Sequence, residues 1–278
     1  MNKIFEIKPC NFTKIEPQKY KSDMNIKLFD FQRANVEWMQ NLENKIKSKK
    51  DGHVIRFLDK TPAAMRNECC NGSINIRGGV LCDEAGMGKG YCMLSLIINN
   101  DSKLNLIVAP KRLIPDWICQ INKLVGKKKS TGKKRLTHTQ ITNTEELENI
   151  NLIDFYTNIV FVTPQIFLNY DKKLKNIFWN RIIIDEFNQI FKSMNKTILM
   201  SYKSNIKWLM SETPLYCDRN INSTAHFFLI LQFLCGDKYT KKELNYIEKI
   251  SIDNINKTNI IQSVIKQLFR CNTRASTR

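Results

Sequence analysis

Short runs of apolar, largely β-branched residues recur through the middle of the chain. They are Gly79-Val80-Leu81-Cys82, Leu104-Asn105-Leu106-Ile107-Val108-Ala109, Asn158-Ile159-Val160-Phe161-Val162, Arg181-Ile182-Ile183-Ile184 and Lys207-Trp208-Leu209-Met210. Each is followed at once by a polar or turn-forming residue, and helix-length segments separate them. Strands that are apolar throughout must be covered on both faces, as in a parallel sheet wrapped by crossover helices. The pattern predicts an α/β fold with a doubly wound parallel sheet. Ligands of such sheets bind beyond the carboxyl ends of the strands, so the tails of these runs are where chemistry belongs.

The flanks read differently. Residues 1–27 alternate charged and apolar positions only weakly and suggest an extended lead-in. From Leu28, apolar residues at Phe31, Val36, Trp38, Met39, Leu42 and Ile46 fall at threes and fours, which predicts a helix. The cations of Lys45-Ile46-Lys47-Ser48-Lys49-Lys50 suit its C-terminus. Residues 51–77, with Gly52, Pro62, Cys69-Cys70 and Asn71-Gly72, read as an irregular insertion. After Met210, Phe227, Phe228, Leu231, Phe233 and Leu234 form a packed helical face. An amphipathic segment from Ile260 to Phe269 then precedes a basic tail with Arg270, Arg274 and Arg278. The expected organisation is a helix with insertion over 28–77, a sheet domain over 78–214 and a helical part of the same lobe over 215–278.

Charge changes the picture more than size does. The 278 residues carry 44 Lys and Arg against 26 Asp and Glu, a net +18. Such a surplus points to a polyanionic partner, nucleic acid ahead of an anionic membrane. No apolar run approaches the roughly 20 residues that cross a bilayer, and Met1–Glu6 begins no secretory signal. The nine cysteines are scattered without a Cys-x-x-Cys, and His53, His138 and His226 lie far apart. The thiols read as buried apolar groups of a reducing, intracellular compartment, and no zinc site is expected. Between Asp116 and Glu145 there is no acid, and Lys123, Lys127-Lys128-Lys129 and Lys133-Lys134-Arg135 crowd together. A solvated loop, a nucleic-acid contact and a nuclear-import signal all fit that stretch.

Two strand tails carry recognisable chemistry. The first run empties into Asp83-Glu84-Ala85-Gly86-Met87-Gly88-Lys89-Gly90. A glycine-rich turn between strand and helix aims backbone N–H groups at a phosphate, and Lys89 adds a point charge. A full phosphate loop would have Gly at the Asp83 position and Ser or Thr at the Gly90 position. The fourth run ends in Asp185-Glu186. Adjacent acids at the end of a buried strand are costly unless they serve a cation or a reaction. The first would hold a magnesium shell and the second would orient an attacking water. The two tails are expected at the ends of neighbouring strands.

Together these pieces resemble the first RecA-like lobe of the Swi/Snf-like ATPases of helicase superfamily 2. In that family the first motif reads Gly-Gly-Ile-Leu-Ala-Asp-Glu-Met-Gly-Leu-Gly-Lys-Thr, so Asp83 is a family trait. Leu28-Phe29-Asp30-Phe31-Gln32 with Val36-Glu37-Trp38-Met39 resembles the glutamine motif. Leu106 to Lys111 with Trp117, and Val162-Thr163-Pro164, resemble segments that touch a nucleic-acid backbone. Arg181 to Glu186 resembles the Asp-Glu-Ala-His box, Trp208 to Pro214 the Leu-Thr-Gly-Thr-Pro coupling motif, and Leu268 to Arg274 the Arg-x-Thr-Lys region. The resemblance implies ATP and magnesium as cofactors, with Gln32 on adenine, Asp83 to Gly90 around the phosphates, Asp185 on magnesium and Glu186 on water. It further implies Ser211 and Thr213 in coupling, and Lys111 and Thr163 on nucleic acid, double-stranded DNA foremost.

The departures define the alternatives. Gly90 replaces the Thr whose hydroxyl ligates magnesium, and a Thr restored there is expected to strengthen magnesium dependence. Phe187-Asn188 replaces Ala-His, which removes the histidine linking nucleotide to coupling motif. Glu212 replaces the Gly between Ser211 and Thr213. No second lobe, with its arginine fingers, is recognised within the 278 residues. Hydrolysis is therefore expected to be weak or to depend on a separate second-lobe chain. The competing expectation is a non-hydrolysing scaffold that binds nucleic acid or an RNA polymerase subunit. The bias toward Lys, Asn and Ile fits an AT-rich large DNA virus or cytoplasmic element.

Overall fold

The helix expected from Leu28 forms as α1 (Asp30–Lys47). The computed structural model describes residues 24–48, 53–56, 73–100, 103–125, 136–151, 157–169, 172–192, 201–215, 223–235 and 256–277. Most of the lead-in, Gly52, Pro62, Cys69, Cys70, Lys127 to Arg135 and Arg278 lie outside the described residues. The supposedly irregular insertion contains an antiparallel ribbon, β1 (His53–Arg56) with β2 (Ser73–Ile76). Its strands are four residues each and far apart in sequence, so no periodic run announced them.

Next come β3 (Gly78–Leu81), α2 (Lys89–Asn100), β4 (Asn105–Val108), α3 (Ile114–Val125), β5 (His138–Ile141) and α4 (Thr144–Asn149). They are followed by β6 (Ile159–Val162), α5 (Pro164–Leu168), α6 (Lys172–Lys175), β7 (Trp179–Asp185), α7 (Phe187–Lys192) and β8 (Ser204–Met210). The described chain closes with α8 (Ser223–Cys235), α9 (Asn256–Leu268) and β9 (Phe269–Arg270). β3 to β9 form a seven-stranded sheet in the order β5-β6-β4-β7-β8-β3-β9. Every pairing in it is parallel. The α/β, RecA-like doubly wound fold is therefore present.

Two strands were not legible as apolar runs. β5 is an edge strand whose only fully buried side chain is Ile141, so it reads as polar. β9 is two residues long and continues directly from α9, so Phe269 looked like the last turn of a helix. A third difference concerns the site: β8 lies between β3 and β7, so the phosphate-loop strand and the Asp185 strand are not neighbours. The register nevertheless brings Leu81, Met210 and Asp185 into one row across the three strands.

Alternate strand residues feed two cores. Leu81, Ile107, Phe161, Ile183 and Trp208 pack with α1, α2 and α3 on one face. Val80, Val108, Val160, Ile182, Ile184 and Leu209 pack with α5, α7, α8 and α9 on the other. Such two-sided burial is what continuous apolar strands require. Among the described thiols, Cys82, Cys92 and Cys235 are buried as expected, but Cys119 is exposed on α3. No described helix is long and apolar enough to cross a membrane.

The first face holds a buried ion pair. Arg181 on β7 donates to Glu43 on α1 through Nε at 2.7 Å and a terminal nitrogen at 2.5 Å, both side chains being fully buried. Trp208 Nε1 and Asn100 Nδ2 donate to the same carboxylate at 3.0 and 2.9 Å. Arg181 also reaches Asn105 Oδ1 at 3.0 Å. Removing one member leaves an uncompensated buried charge, which costs about 3–5 kcal/mol. Glu43→Ala should therefore lower stability by that order in urea denaturation, whereas Glu43→Met with Arg181→Met should recover only part of the loss, because Trp208, Asn100 and Asn105 lose these bonds. A single variant as stable as the wild type would refute the assignment.

Candidate functional site

β3 hands the chain to the loop Asp83–Gly88, and α2 starts at Lys89. Gly86 and Gly88 sit at φ +77° and +79°, a region that residues with a Cβ rarely adopt. These two glycines let the loop coil in front of the helix N-terminus, where backbone N–H groups and the helix dipole favour an anion. Lys89 Nζ donates to the carbonyls of Asp83 at 2.7 Å and Glu84 at 3.3 Å, which holds the ammonium over the loop.

Asp83 serves the loop from behind. Its fully buried carboxylate accepts from Asn35 Nδ2 at 2.5 Å and from the backbone and side-chain nitrogens of Asn272, both at 2.8 Å. Burial pushes its carboxyl up, and the amide donors oppose that rise. The carboxylate is thus engaged by protein amides and is not turned to a phosphate. Asn272 also accepts from Glu84 N at 3.1 Å, Arg274 N donates to Glu84 Oε2 at 2.8 Å, and the Arg274 guanidinium donates to Ala85 O at 3.2 Å. The segment after β9 therefore clasps the loop. Sequence reading named Arg274 but gave it no role, because its partners lie about 190 residues away.

Gln32, on the first turn of α1, donates from Nε2 to Met87 O at 3.0 Å and accepts from Phe29 N at 3.0 Å. One donor hydrogen and one acceptor lone pair of its amide remain. Beside it, Lys27, Leu28, Phe29, Asp30, Phe31 and Thr277 line a cavity of about 470 Å³. The ring of Phe29 is 70% exposed and lies parallel to that of Phe31, with centroids 6.0 Å apart.

The carboxylates stand at the end of β7. Trp117 Nε1, from α3, donates to Asp185 Oδ2 at 2.9 Å, and the backbone N–H of Glu186 donates to Oδ1 at 3.1 Å. Burial pushes Asp185 up, while these donors and the charges of Lys89 and Arg112 pull it back. Glu186 adopts φ +52°, a left-handed conformation that strains a residue with a Cβ. Its half-buried carboxyl is raised by burial first and by Asp185 next, with Glu212 adding to the rise and Lys89 and Arg112 opposing it.

The end of β7 and the coupling segment are joined without a histidine. Asn188 Nδ2 donates to Thr213 Oγ1 at 2.7 Å and to Thr213 O at 3.1 Å, since an amide donor can replace an imidazole N–H. Thr213 N in turn donates to Ser211 Oγ at 3.1 Å. Of the residues assigned to a nucleic-acid backbone, Lys111 is exposed on a 3₁₀ turn (Lys111–Leu113) after β4. Thr163 is different: it is buried, and its hydroxyl accepts from Ile166 N as the N-cap of α5. That side chain is turned to a helix end and is almost wholly buried. Trp117, read as a neighbour of the backbone-contact segment, instead fixes Asp185.

Known proteins resemble this chain throughout. In solved structures, the Sulfolobus solfataricus SWI2/SNF2 ATPase core in complex with dsDNA matches over 95% of this chain and 47% of its own, with TM-score 0.63 and 17% identity. The Arabidopsis thaliana chromatin structure-remodeling complex protein SYD is 28% identical over 185 residues, 61% of this chain and 5% of the relative. The ISWI chromatin-remodeling complex ATPase ISW1 of Saccharomyces cerevisiae is 28% identical over 171 residues, 58% of this chain and 14% of the relative. The chain thus spans a small part of these relatives and about half of the solved core. The profile of the SNF2-related domain matches residues 31–276, and the chain belongs to that family.

Proposed function

We propose that this chain binds ATP with magnesium at the carboxyl edge of its sheet and engages double-stranded DNA, as the first lobe of a Swi/Snf-like translocase. The observation that carries the reading is the convergence of the Lys89 loop with Asp185 and Glu186, close enough for the ammonium to act on both carboxyls. The loop amides and Lys89 would cradle the phosphates. Phe29 and the spare valences of Gln32 would receive adenine in the adjoining cavity.

Asp185 suits magnesium by the chemistry of its donor: a carboxylate held rigid by Trp117 with Lys89 nearby. The ion, when bound with the nucleotide, neutralises charge on the phosphate oxygens. Glu186, next in the chain, would orient the attacking water and accept its proton. Asn188 ties this turn to Thr213 and so to Ser211, a route by which hydrolysis would move the coupling segment. Residues 78–214 would carry these groups, with Gln32 and the segment after β9 meeting them at the loop.

Hydrolysis by the 278-residue chain should be slow, because Gly90 brings no hydroxyl and Glu212 adds a negative charge beside Glu186. The same two positions favour the second reading, a non-hydrolysing scaffold that binds nucleic acid or a polymerase subunit. Robust DNA-stimulated turnover by the purified chain would exclude it.

Lys89→Ala should weaken ATP binding at least tenfold by calorimetry, about 1.4 kcal/mol. Equal affinity would remove the nucleotide reading. For Glu186, the raised carboxyl means that its proton-accepting form accumulates only above the ordinary glutamate range, so any hydrolysis should climb with pH there. Glu212→Gly removes one of the causes and should lower the titration midpoint of Glu186 followed by carboxyl NMR; an unmoved midpoint would show that the two acids do not interact. On DNA, each neutralised duplex phosphate contributes about 0.9 to the salt slope of binding. Lys111→Ala should make the slope shallower by about that amount, whereas neutralising Lys127, Lys128, Lys129, Lys133, Lys134 and Arg135 should leave it unchanged. The reverse result would move the DNA contact to the basic stretch.

A further inference from the structure

Position 90 has no side chain, yet its space is filled. A Cβ placed on Gly90 would stand 2.3 Å from Gln120 Oε1, 3.1 Å from its Cδ and 3.3 Å from its Nε2. The carboxamide of Gln120, on α3, thus occupies the volume that a residue-90 side chain would take. Its Oε1 is buried and has no hydrogen-bond partner among the described residues. A buried carbonyl without a donor costs about 1–3 kcal/mol, so an oxygen kept in that position calls for an occupant.

The placement of α3 suggests what the occupant is. Trp117 and Gln120 are three residues apart and share one face of the helix. The first donates to Asp185 Oδ2, and the second lies against the start of α2, beside Lys89. One turn of α3 therefore reaches both the carboxylate and the phosphate-loop helix. Magnesium prefers hard oxygen ligands and keeps several waters, and an amide carbonyl is such a ligand. A carboxamide is neutral, like the hydroxyl it would replace, and leaves the charge of the site unaltered.

We infer that Gln120 presents through Oε1 the neutral oxygen that Gly90 lacks, to the hydrated magnesium of the bound nucleotide. The inference rests on the ATP reading above. It also bears on position 90: a Thr placed there alone must first displace the Gln120 carboxamide, whose Oε1 stands 2.3 Å from the place of its Cβ. Gly90 and Gln120 form a matched pair, one giving up a side chain and the other reaching across from the next helix.

The test is calorimetric titration of the folded 278-residue chain with a non-hydrolysable ATP analogue, in EDTA and in magnesium. The readout is the ratio of the two affinities. Gln120→Met keeps the length of the side chain and removes its oxygen. It should reduce the magnesium enhancement about tenfold, the lower range for outer-shell metal partners, and leave the affinity in EDTA unchanged. Gln120→Ala combined with Gly90→Thr, which clears the space for the hydroxyl, should restore the enhancement, and Gln120→Glu should raise it. If Gln120→Met keeps the wild-type ratio, the side chain is a gap filler and the inference fails. If Gln120→Met does not fold, an unchanged ratio in Gln120→Glu has the same force. A wild-type chain that binds the analogue equally with and without magnesium overturns this inference alone. Indifference of binding to Lys89→Ala overturns the nucleotide reading beneath it.

Discussion

A carboxylate cut off from water must collect donors or lose its charge, and Glu43 meets that requirement by drawing four elements together. Its partners come from β7, β8 and the end of α2, while the carboxylate itself is carried by α1. That pairing fixes α1 across the sheet at one rotation and one height. Everything α1 does at its other end follows from this. Gln32 and Asn35, two to three turns earlier on the same helix, meet Met87 and Asp83. A helix held by apolar contacts alone could slide by a fraction of a turn without much loss. One held by a bidentate ion pair cannot.

The regularity of the sheet was legible because burial on both faces leaves its mark residue by residue. The central strands are apolar at every position, and no tertiary information is needed to see that. The elements that escaped are those whose identity depends on neighbours far along the chain. β5 is polar because it lies at an edge, β9 is too short to show a period, and the ribbon of β1 and β2 is formed across 16 intervening residues. The candidate site divides in the same way. Lys89, Asp185 and Glu186 could be recognised from their order at strand ends. The contacts of Asn188, Trp117 and Arg274 could not, because each meets a partner chosen by the fold. Thr163 shows the converse: a familiar sequence around a hydroxyl that the fold spends on capping a helix.

The substitutions at the site are not of one kind. Asn188, which stands where the family motif has His, ties its turn to Thr213 through an amide donor. Glu212 alters the field without altering any described contact, since its effect on Glu186 is that of one like charge on another. Gly90 removes a group, and a neighbour from another helix occupies the space. Counting altered motif positions would score these three alike. Their physical consequences run from a hydrogen bond, through an electrostatic effect, to a space filled from another helix.

The clasp formed by Asn272 and Arg274 has a mechanical meaning. Asn272 bridges Asn35 and Asp83 through its amide, and Arg274 holds Glu84 and Ala85, so four attachments of the loop and of α1 converge on two residues of one segment. A pull along that segment would load the phosphate loop directly, without first deforming the hydrophobic layers on either side of the sheet. Conversely, a loop drawn inward by an anion would tug on the segment. The short strand β9 sets the lever arm, because its two-residue pairing to β3 is the last fixed point before the clasp. Strain at one end of this lever would reach the other as a change in the spacing of backbone amides, the groups that would hold a phosphate there.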